Sequence, residues 1–169
     1  KILERSTIFA TDFNDTVLET GRKGIYSLEK IQHYTKNYQQ AGGHSSFSDY
    51  YHASYDMAVM NSSLMDKITF ANHNLVSDGV FGEVNLIFCR NVLIYFNEDL
   101  QNRVVNLFAA SLTNRGFLCV GTKNSLKGSK AGKNFEIVDE ALQIYRKSTA
   151  STADIFRTEG IAPVQSIGR

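Results

Sequence analysis

The stretch from Leu86 to Phe96 constrains the fold of this chain more than any other. It begins as a continuous apolar run and then places Arg90, Asn91 and Tyr95 among apolar residues, just before a predicted helix. Polar side chains that follow the carboxyl end of a buried strand mark the ligand-binding edge of an open α/β sheet. An arginine buried there needs a partner, so Arg90 either anchors the structure or holds a ligand. The residues alone leave both interpretations open.

The composition excludes several classes of protein. With 169 residues, of which 43% are hydrophobic, the chain is long enough for one domain with a substantial core. A net charge of +1 argues against a broad nucleic-acid or membrane-binding surface. No apolar run reaches the roughly 18 residues of a membrane-spanning helix, and the charged start from Lys1 to Arg5 does not resemble a signal peptide. We therefore predict a cytoplasmic protein without membrane insertion.

The cysteines and histidines do not form a pattern typical of a metal site. Cys89 and Cys119 both lie in apolar, strand-like runs, so we predict buried thiols rather than a disulfide or a pair of metal ligands. The four histidines lack the spacing of a metal-binding motif.

The first predicted strand, residues 7–11, is expected to be buried and is followed directly by Asp12. Asn14 is a good N-cap for the next helix, and Gly21 is expected to end it. A strand, an acid and then a helix is the order that binds ribose hydroxyls in nucleotide-binding α/β folds. The simpler interpretation is that Asp12 favours the positive end of the helix dipole. Both interpretations stay open, with equal weight.

The middle of the chain mixes helical and strand patterns. Residues 27–40 are compatible with one helix, and the apolar–polar alternation over residues 51–60 predicts one half-exposed strand in a small antiparallel unit. Residues 61–63 are expected to form a turn. Ile68 and Phe70 mark a further strand, again followed by polar groups.

Val84–Cys89 is predicted to be the central strand, covered on both faces. Asn97 is expected to cap the next helix and Gly116 to close it, before a buried strand over residues 117–120. Residues 135–138 and 142–145 predict a terminal hairpin. The element order indicates an α/β sheet with a largely parallel centre and an antiparallel edge.

The motif from Ile87 to Phe96 closely resembles the signature of the CheR-type chemotaxis-receptor methyltransferases. Weaker matches follow in the family's order at Phe9–Asp12, Gly24–Tyr26, Phe70 with Asn74 and Leu75, and Ile144–Lys147. The resemblance covers about residues 6–147. It implies a class I, Rossmann-like methyltransferase fold over residues 1–147, with a small β-subdomain inserted near residues 45–66 that can dock a receptor tail in the family. Residues 148–169, which are rich in Ser and Thr, are interpreted as a tail or linker.

The resemblance also implies an activity and a set of site residues. Family members transfer a methyl group from S-adenosylmethionine to glutamate side chains of bacterial chemoreceptors, leaving S-adenosylhomocysteine. The expected partner is the cytoplasmic domain of a chemoreceptor or another acidic signalling protein, with no nucleic acid and no metal. The resemblance implies that Asp12 binds the ribose, that Asn74 and Leu75 border the adenine, and that Arg90 and Asn91 bind the cofactor at the methyl-transfer site. The implied catalytic residues are Arg90 and Tyr95, with Tyr95 near the transferred methyl.

The chain departs from the family most at its start, and in smaller ways at Asn85, Leu112–Gly116 and Gly121–Ser125. It begins at what resembles the second strand, so the first strand and its Gly-rich cofactor loop are missing from this sequence. We therefore expect two strand edges without partners and impaired cofactor binding by these residues alone. The segment Gly121–Ser125 replaces a Gly-His-Ser-Glu-like loop. Three hypotheses stay open: an active receptor-glutamate methyltransferase, a degenerate relative that binds without transfer, and a methyltransferase with a different acceptor.

Overall fold

The structure, a computed structural model, describes residues 2–149. The chain divides at the Asn74–Leu75 bond into two compact units, called unit 1 and unit 2, with described residues 2–74 and 75–149. Most of the predicted tail, residues 150–169, lies outside the described residues. In the described part, none of the helices combines the length and the apolar character needed to cross a membrane.

Unit 1 contains five strands and three helices. They are β1 (Ile8–Asp12), α1 (Asp15–Lys23), β2 (Ile25–Ser27), α2 (Leu28–Gln40), β3 (Tyr51–Ser54), β4 (Met57–Met60), α3 (Ser62–Met65) and β5 (Ile68–Asn72).

The first sheet of unit 1 is a parallel pair of strands, β1 and β5, in which Asp12 lies opposite Asn72. Because the two strands run in the same direction, their carboxyl ends and the residues after them lie at one end of this sheet. Helix α1 packs closely against β5 at Gly21. A Cβ at this position would lie 2.5 Å from Cε1 of the Phe70 ring. A glycine is therefore required here by packing.

Helix α1 has the predicted start but not the predicted end. Asn14 caps it, with its Oδ1 accepting hydrogen bonds from the backbone N–H of Thr16 at 3.0 Å and of Val17 at 3.4 Å. The prediction that Gly21 ends the helix is wrong. Gly24 ends it in the left-handed conformation at φ 62°, which a glycine adopts without a steric cost.

The second sheet of unit 1 is antiparallel, with the strand order β2–β4–β3. The single strand predicted over residues 51–60 is a hairpin, whose turn contains Tyr55 at φ 52°. The predicted turn at 61–63 is instead the start of α3. This sheet includes Ile25–Ser27, so its strands begin earlier in the chain than residue 45.

Unit 2 contains β6 (Val84–Phe88), α4 (Glu98–Ser111), β7 (Leu112–Cys119), β8 (Phe135–Asp139) and β9 (Ile144–Lys147). The four strands form one sheet in the order β6–β7–β9–β8, in which β6 and β7 are parallel and the remaining pairs are antiparallel. The α/β prediction with an antiparallel C-terminal hairpin is confirmed.

The core of unit 2 forms around α4 and β7. Helix α4 begins at the predicted cap, where the Asn97 Oδ1 accepts a hydrogen bond from the Leu100 N–H at 3.0 Å. Its apolar stripe supplies Val104, Val105 and Phe108 to a cluster of buried side chains. Leu118 and Val120, with no exposed surface, contribute from β7 and the residue after it.

The structure corrects three further predictions, one about the end of α4 and two about the burial of strands. Gly116 does not close α4, because the helix ends at Ser111 and Gly116 lies within β7, where a Cβ would come within 3.1 Å of the Asn85 carbonyl oxygen. β6 is not covered on both faces, since Leu86 is 49% and Phe88 70% exposed. β1 is not fully buried either, with Ile8 40% exposed.

The exposure of β1 and β6 follows from their position in the sheets. Each is the terminal strand of its sheet in the described part of the chain and has one edge without a strand partner.

Candidate functional site

Asp12 ends β1 with its carboxylate at the amino-terminal side of α1. Its Oδ1 accepts a hydrogen bond from the Asn14 N–H at 2.8 Å, and its backbone oxygen accepts one from the His73 N–H at 3.1 Å. Among residues 2–149, Oδ2 has no hydrogen-bond donor. One carboxylate oxygen therefore organises the turn before the helix, while the other can accept a hydrogen bond from a ligand hydroxyl. The two interpretations of Asp12 are compatible.

Asn74 and Leu75 lie at the boundary between the units. Asn74 follows β5 and is half-buried, so Asp12 and Asn74 belong to the same end of the β1–β5 sheet. Leu75 packs against the core of unit 2, and the next carbonyl oxygen, that of Val76, accepts a hydrogen bond from the Arg103 guanidinium. The segment after Asn74 is thereby fixed to α4.

Arg90 follows β6 and is exposed, so the premise that it is a buried arginine is wrong. The preceding residue, Cys89, is only 6% exposed, and its N–H donates to the Cys119 carbonyl oxygen at 2.9 Å. The backbone is thus fixed to β7 directly before Arg90. In the described part of the chain, Arg90 forms no ion pair with a carboxylate. This favours the interpretation of Arg90 as a ligand-binding residue over that of a structural anchor.

The Arg90 side chain lies against the backbone of Gly121, the second residue after β7. A Cβ at position 121 would lie 3.2 Å from Nε and 3.3 Å from Cγ of Arg90. Gly121 also has φ 80°, a left-handed conformation that other residues rarely adopt. Gly121 therefore fixes where the arginine stem can lie. The sequence marks the 121–125 loop as a departure from the family but did not predict this role of Gly121. The available signal was a glycine directly after a predicted buried strand.

Asn91 and Tyr95 lie in the segment that follows β6. Asn91 has φ 59°, and asparagine tolerates this left-handed conformation better than most residues. The following 3₁₀ turn, Leu93–Tyr95, is anchored by Leu93, which is 1% exposed, and presents Tyr95 at 80% exposure. Backbone strain of this kind clusters at functional sites. Unit 2 thus brings Leu75, Arg90, Asn91 and Tyr95 into one body, and unit 1 holds Asp12 and Asn74.

The thiols of unit 2 are unsuited to nucleophilic chemistry. Burial raises the pKa of Cys89 from 9.0 to about 11, and burial also raises the pKa of Cys119, against an opposing effect of the nearby Arg90 charge. Both cysteines are free and buried, as predicted. No group of three or more His, Cys, Asp or Glu side chains in the described residues is arranged to hold a metal ion. The chemistry offered is ligand binding by a carboxylate, amides, a guanidinium and a phenol.

Comparison with known proteins decides the family. Residues 2–142 match the model of the CheR methyltransferase, SAM binding domain. The chain belongs to this family. The match confirms the resemblance, and it identifies S-adenosylmethionine as the cofactor of this domain family.

Three curated relatives show the extent of the similarity. A methyltransferase named Cher3 from Pseudomonas putida is 48% identical over 87% of this chain and 54% of its own length. Chemotaxis protein methyltransferase 1 of Vibrio cholerae is 32% identical over 75% of this chain and 44% of its own length. The chemotaxis protein methyltransferase of Escherichia coli is 30% identical over 69% of this chain and 40% of its own length. The CheR-family chain thus spans about half the length of the curated relatives it matches.

The solved structure of the pyocyanin biosynthetic protein PhzM covers 57% of this chain and 30% of its own, at 12% identity. Its TM-score of 0.33 is too low to support a statement about the fold.

The residues present fit part of the cofactor. The Oδ2 of Asp12, without a protein donor in the described chain, suits a ribose hydroxyl, as in other nucleotide-binding α/β folds. Arg90 and Tyr95 are exposed and project from a segment that Leu93 anchors. They suit the binding and orientation of a ligand group rather than the removal of a proton from it.

Proposed function

We propose that the protein containing this chain transfers a methyl group from S-adenosylmethionine to glutamate side chains of chemoreceptors. The observation that carries the proposal is the geometry at Arg90 in a CheR-family domain. Its guanidinium is exposed and forms no ion pair with a carboxylate of the described residues, and the side chain follows the buried Cys89 and packs on Gly121. An arginine presented in this way suits recognition of a carboxylate.

The proposed division of roles follows the chemistry of each side chain. Asp12, Asn74, Leu75 and Asn91 hold the cofactor, while Arg90 and Tyr95 orient the acceptor carboxylate, with Arg90 also close to the cofactor. The bound cofactor supplies an activated methyl group. A glutamate carboxylate is already ionised at neutral pH and needs no general base, so these residues contribute proximity and orientation.

The partner is then the cytoplasmic domain of a chemoreceptor or another acidic signalling protein, and the place of action is the cytoplasm. The relatives named as chemotaxis protein methyltransferases support this assignment.

The second candidate function is binding without transfer. The segment Gly121–Ser125, which starts at the contact with Arg90, replaces the family's Gly-His-Ser-Glu-like loop. If that change removes a group needed for transfer, the protein binds the cofactor or a signalling partner as a regulatory ligand.

The test uses the full-length protein. Calorimetry with S-adenosylmethionine measures cofactor binding, and transfer of a radiolabelled methyl group to a recombinant chemoreceptor cytoplasmic domain measures activity. Binding with transfer supports the first candidate, and binding without transfer to any acidic protein supports the second. Absence of binding contradicts both.

Substitutions at the site separate the roles of its residues. Asp12→Ala is expected to weaken cofactor binding by about 1–3 kcal/mol, because it removes hydrogen bonds to a charged acceptor. Arg90→Ala is expected to lower turnover more than cofactor affinity. Arg115→Ala is the matched control, since Arg115 is another exposed arginine of unit 2, within β7. A loss of thermal stability in Arg90→Ala that the control does not show would instead favour a structural role for Arg90.

A further inference from the structure

We propose that a groove between the 122–134 loop and the β8–β9 hairpin of unit 2 binds an acidic segment of the methyl-acceptor protein. This inference rests on the proposed function, because it takes the acceptor to be a protein that presents glutamates. The 122–134 segment is called the lysine loop below.

The lysine loop concentrates positive charge in a chain that is otherwise balanced. It carries four lysines, at positions 123, 127, 130 and 133, and no aspartate or glutamate. The whole chain has 18 basic and 17 acidic residues. The remainder of the chain therefore has an excess of acids, and the loop is a local patch of positive charge that favours an acidic partner.

The loop is fixed to the core rather than suspended in solvent. Leu126 and Ala131 are 5% and 1% exposed and anchor its two halves. The Leu126 N–H donates to the Tyr145 hydroxyl at 3.1 Å, and the Ala131 N–H donates to the Asn102 Oδ1 at 3.0 Å. Because the backbone is already ordered, binding a partner costs less conformational entropy than ordering a mobile loop would.

The groove has an apolar floor and a cationic rim. Its volume is about 320 Å³, with Leu126, Phe135 and Tyr145 in its lining and Lys127 and Lys133 at its rim. This combination fits a short segment that inserts an apolar side chain and places carboxylates beside the two ammonium groups. Two rim lysines around one concavity are too few for the extended basic surface that duplex DNA or an anionic membrane requires.

Both rim lysines are available to a partner. Lys133 is exposed and forms no ion pair within residues 2–149. The Lys127 Nζ lies 3.2 Å from a carboxylate oxygen of Glu140, but the two side chains are 71% and 65% exposed. An exposed pair of this kind contributes little to stability, so a carboxylate of the partner can replace Glu140 at small cost.

The loop also connects the groove to the candidate site. It begins directly after Gly121, against which Arg90 packs, and the Asn124 N–H donates to the Gly121 carbonyl oxygen at 3.1 Å. An acceptor held in the groove would thus be bound by the segment that also fixes the Arg90 stem.

The test compares two double charge reversals in full-length protein. Lys127→Glu/Lys133→Glu changes the groove rim, and Lys30→Glu/Lys36→Glu makes the same change of net charge on two exposed positions of α2. With a recombinant chemoreceptor cytoplasmic domain as acceptor, the rim variant is expected to raise the KM for the acceptor about tenfold, because two exposed attractions become repulsions. The affinity for S-adenosylmethionine and the melting temperature should match those of the control. Lys127→Arg/Lys133→Arg should retain the wild-type KM.

Equal KM values for the rim variant and the control would overturn the inference. So would binding of phosphatidylserine vesicles or single-stranded DNA that is tighter than binding of the acceptor and is lost in the rim variant. Equilibrium binding of the acceptor domain, measured without cofactor, separates this inference from the proposed function. If the wild type binds the domain without methylating it and only the rim variant loses binding, the proposed transfer fails while the groove is supported. If neither binding nor transfer occurs, both are wrong.

Discussion

Units 1 and 2 bury their apolar side chains in different ways. Unit 2 has a contiguous cluster of thirteen buried residues, formed between α4, the strand ends and the anchored part of the lysine loop. In the described part of unit 1, the buried apolar side chains are Leu18, Ile31 and Ala58, one each from α1, α2 and β4. Since the apolar area removed from water is the main source of stability, unit 2 should hold its structure more strongly than unit 1.

Unit 1 compensates with aromatic contacts around the end of α2. The rings of Tyr38, Phe47 and Tyr50 lie 5.4 to 6.0 Å apart between centroids, and the Tyr38 and Tyr50 hydroxyls are 3.2 Å apart. Such pairs each contribute about 0.5–1.5 kcal/mol beyond burial. These contacts do not replace a contiguous core, so the candidate site residue Arg90 belongs to the better-packed of the two units.

The largest expected effect is a loss of stability on truncation of a core side chain, and comparing this loss between the two units tests the difference directly. Leu118→Ala removes a side chain with no exposed surface from the core of unit 2 and should lower the free energy of unfolding by about 3–5 kcal/mol. Leu18→Ala removes a 3% exposed side chain from the smaller core of unit 1 and should cost about 2–3 kcal/mol. Urea denaturation of the full-length protein measures both losses, and amide hydrogen exchange locates them. Equal losses, or slower exchange in unit 1 than in unit 2, would contradict the comparison.

The second prediction concerns alkaline pH, to which the core of unit 2 should be sensitive. Because burial raises the pKa of Cys89 from 9.0 to about 11, its thiol stays protonated in the folded state at pH values where it ionises in the unfolded state. Its contribution to stability is therefore complete below pH 9 and is lost as the pH rises towards 11, by about 2 kcal/mol at pH 10.5. Denaturation of wild type and Cys89→Ala at pH 8 and pH 10.5 should show this additional loss in the wild type alone.

Lys147 makes the comparison with Cys89→Ala necessary. Burial lowers the pKa of this lysine, with a partial opposing effect of Glu83, and its Nζ donates to the Leu112 carbonyl oxygen at 2.6 Å. Its contribution to stability is present above the ordinary lysine pKa and is lost as the pH falls, the opposite direction to Cys89. Both proteins contain Lys147, so the difference between their pH dependences isolates Cys89. Identical pH dependences would show that the thiol is not held in a buried, neutral state.

The features predicted best from the sequence are those that depend on a few neighbouring residues, such as the helix caps. Asn14 and Asn97 cap helices because an amide oxygen next to free N–H groups is sufficient, whatever the rest of the fold does. The hairpin over 51–60 was missed because a two-residue turn keeps the period of two intact on both sides. Its Tyr55 at φ 52° also lacks the Asn-Gly chemistry that signals such turns.

Tertiary packing determined what the sequence could not show. Gly21 and Gly116 were interpreted as helix ends, but each is required by a neighbour that is distant in sequence, the Phe70 ring and the Asn85 carbonyl oxygen. The sequence correctly predicted that Arg90 and Asn91 follow the end of a strand, since β6 ends at Phe88. The exposure of Arg90 was not predicted, because it depends on the edge position of β6 in its sheet.

The smallest expected effect on stability comes from substitutions of glycine, and it tests whether Gly121 of unit 2 positions Arg90. Gly121 in unit 2 and Gly42 in unit 1 have φ values of 80° and 85°, so alanine at either position should cost about 1 kcal/mol of backbone strain. A Cβ at position 42 would meet no atom within 4 Å, whereas one at position 121 would press on Nε and Cγ of Arg90. The two variants should therefore lose similar stability, while only Gly121→Ala displaces the arginine. Because misplacing a group that orients the substrate by a fraction of an ångström lowers the rate, we expect turnover to fall about tenfold in Gly121→Ala and not in Gly42→Ala.

Steady-state methyl transfer by full-length protein, with calorimetric cofactor binding and melting temperatures measured in parallel, distinguishes the causes. A lower kcat with unchanged cofactor affinity and matched melting temperatures identifies Gly121 as the residue that positions Arg90. The double variant Gly121→Ala/Arg90→Ala should then be no slower than Arg90→Ala alone, because the methyl group at position 121 has no arginine left to displace. If Gly121→Ala turns over as fast as Gly42→Ala, the arginine adapts to the new methyl group and its position does not depend on the glycine. If the double variant is slower than Arg90→Ala, position 121 acts on the reaction by a route that does not pass through Arg90.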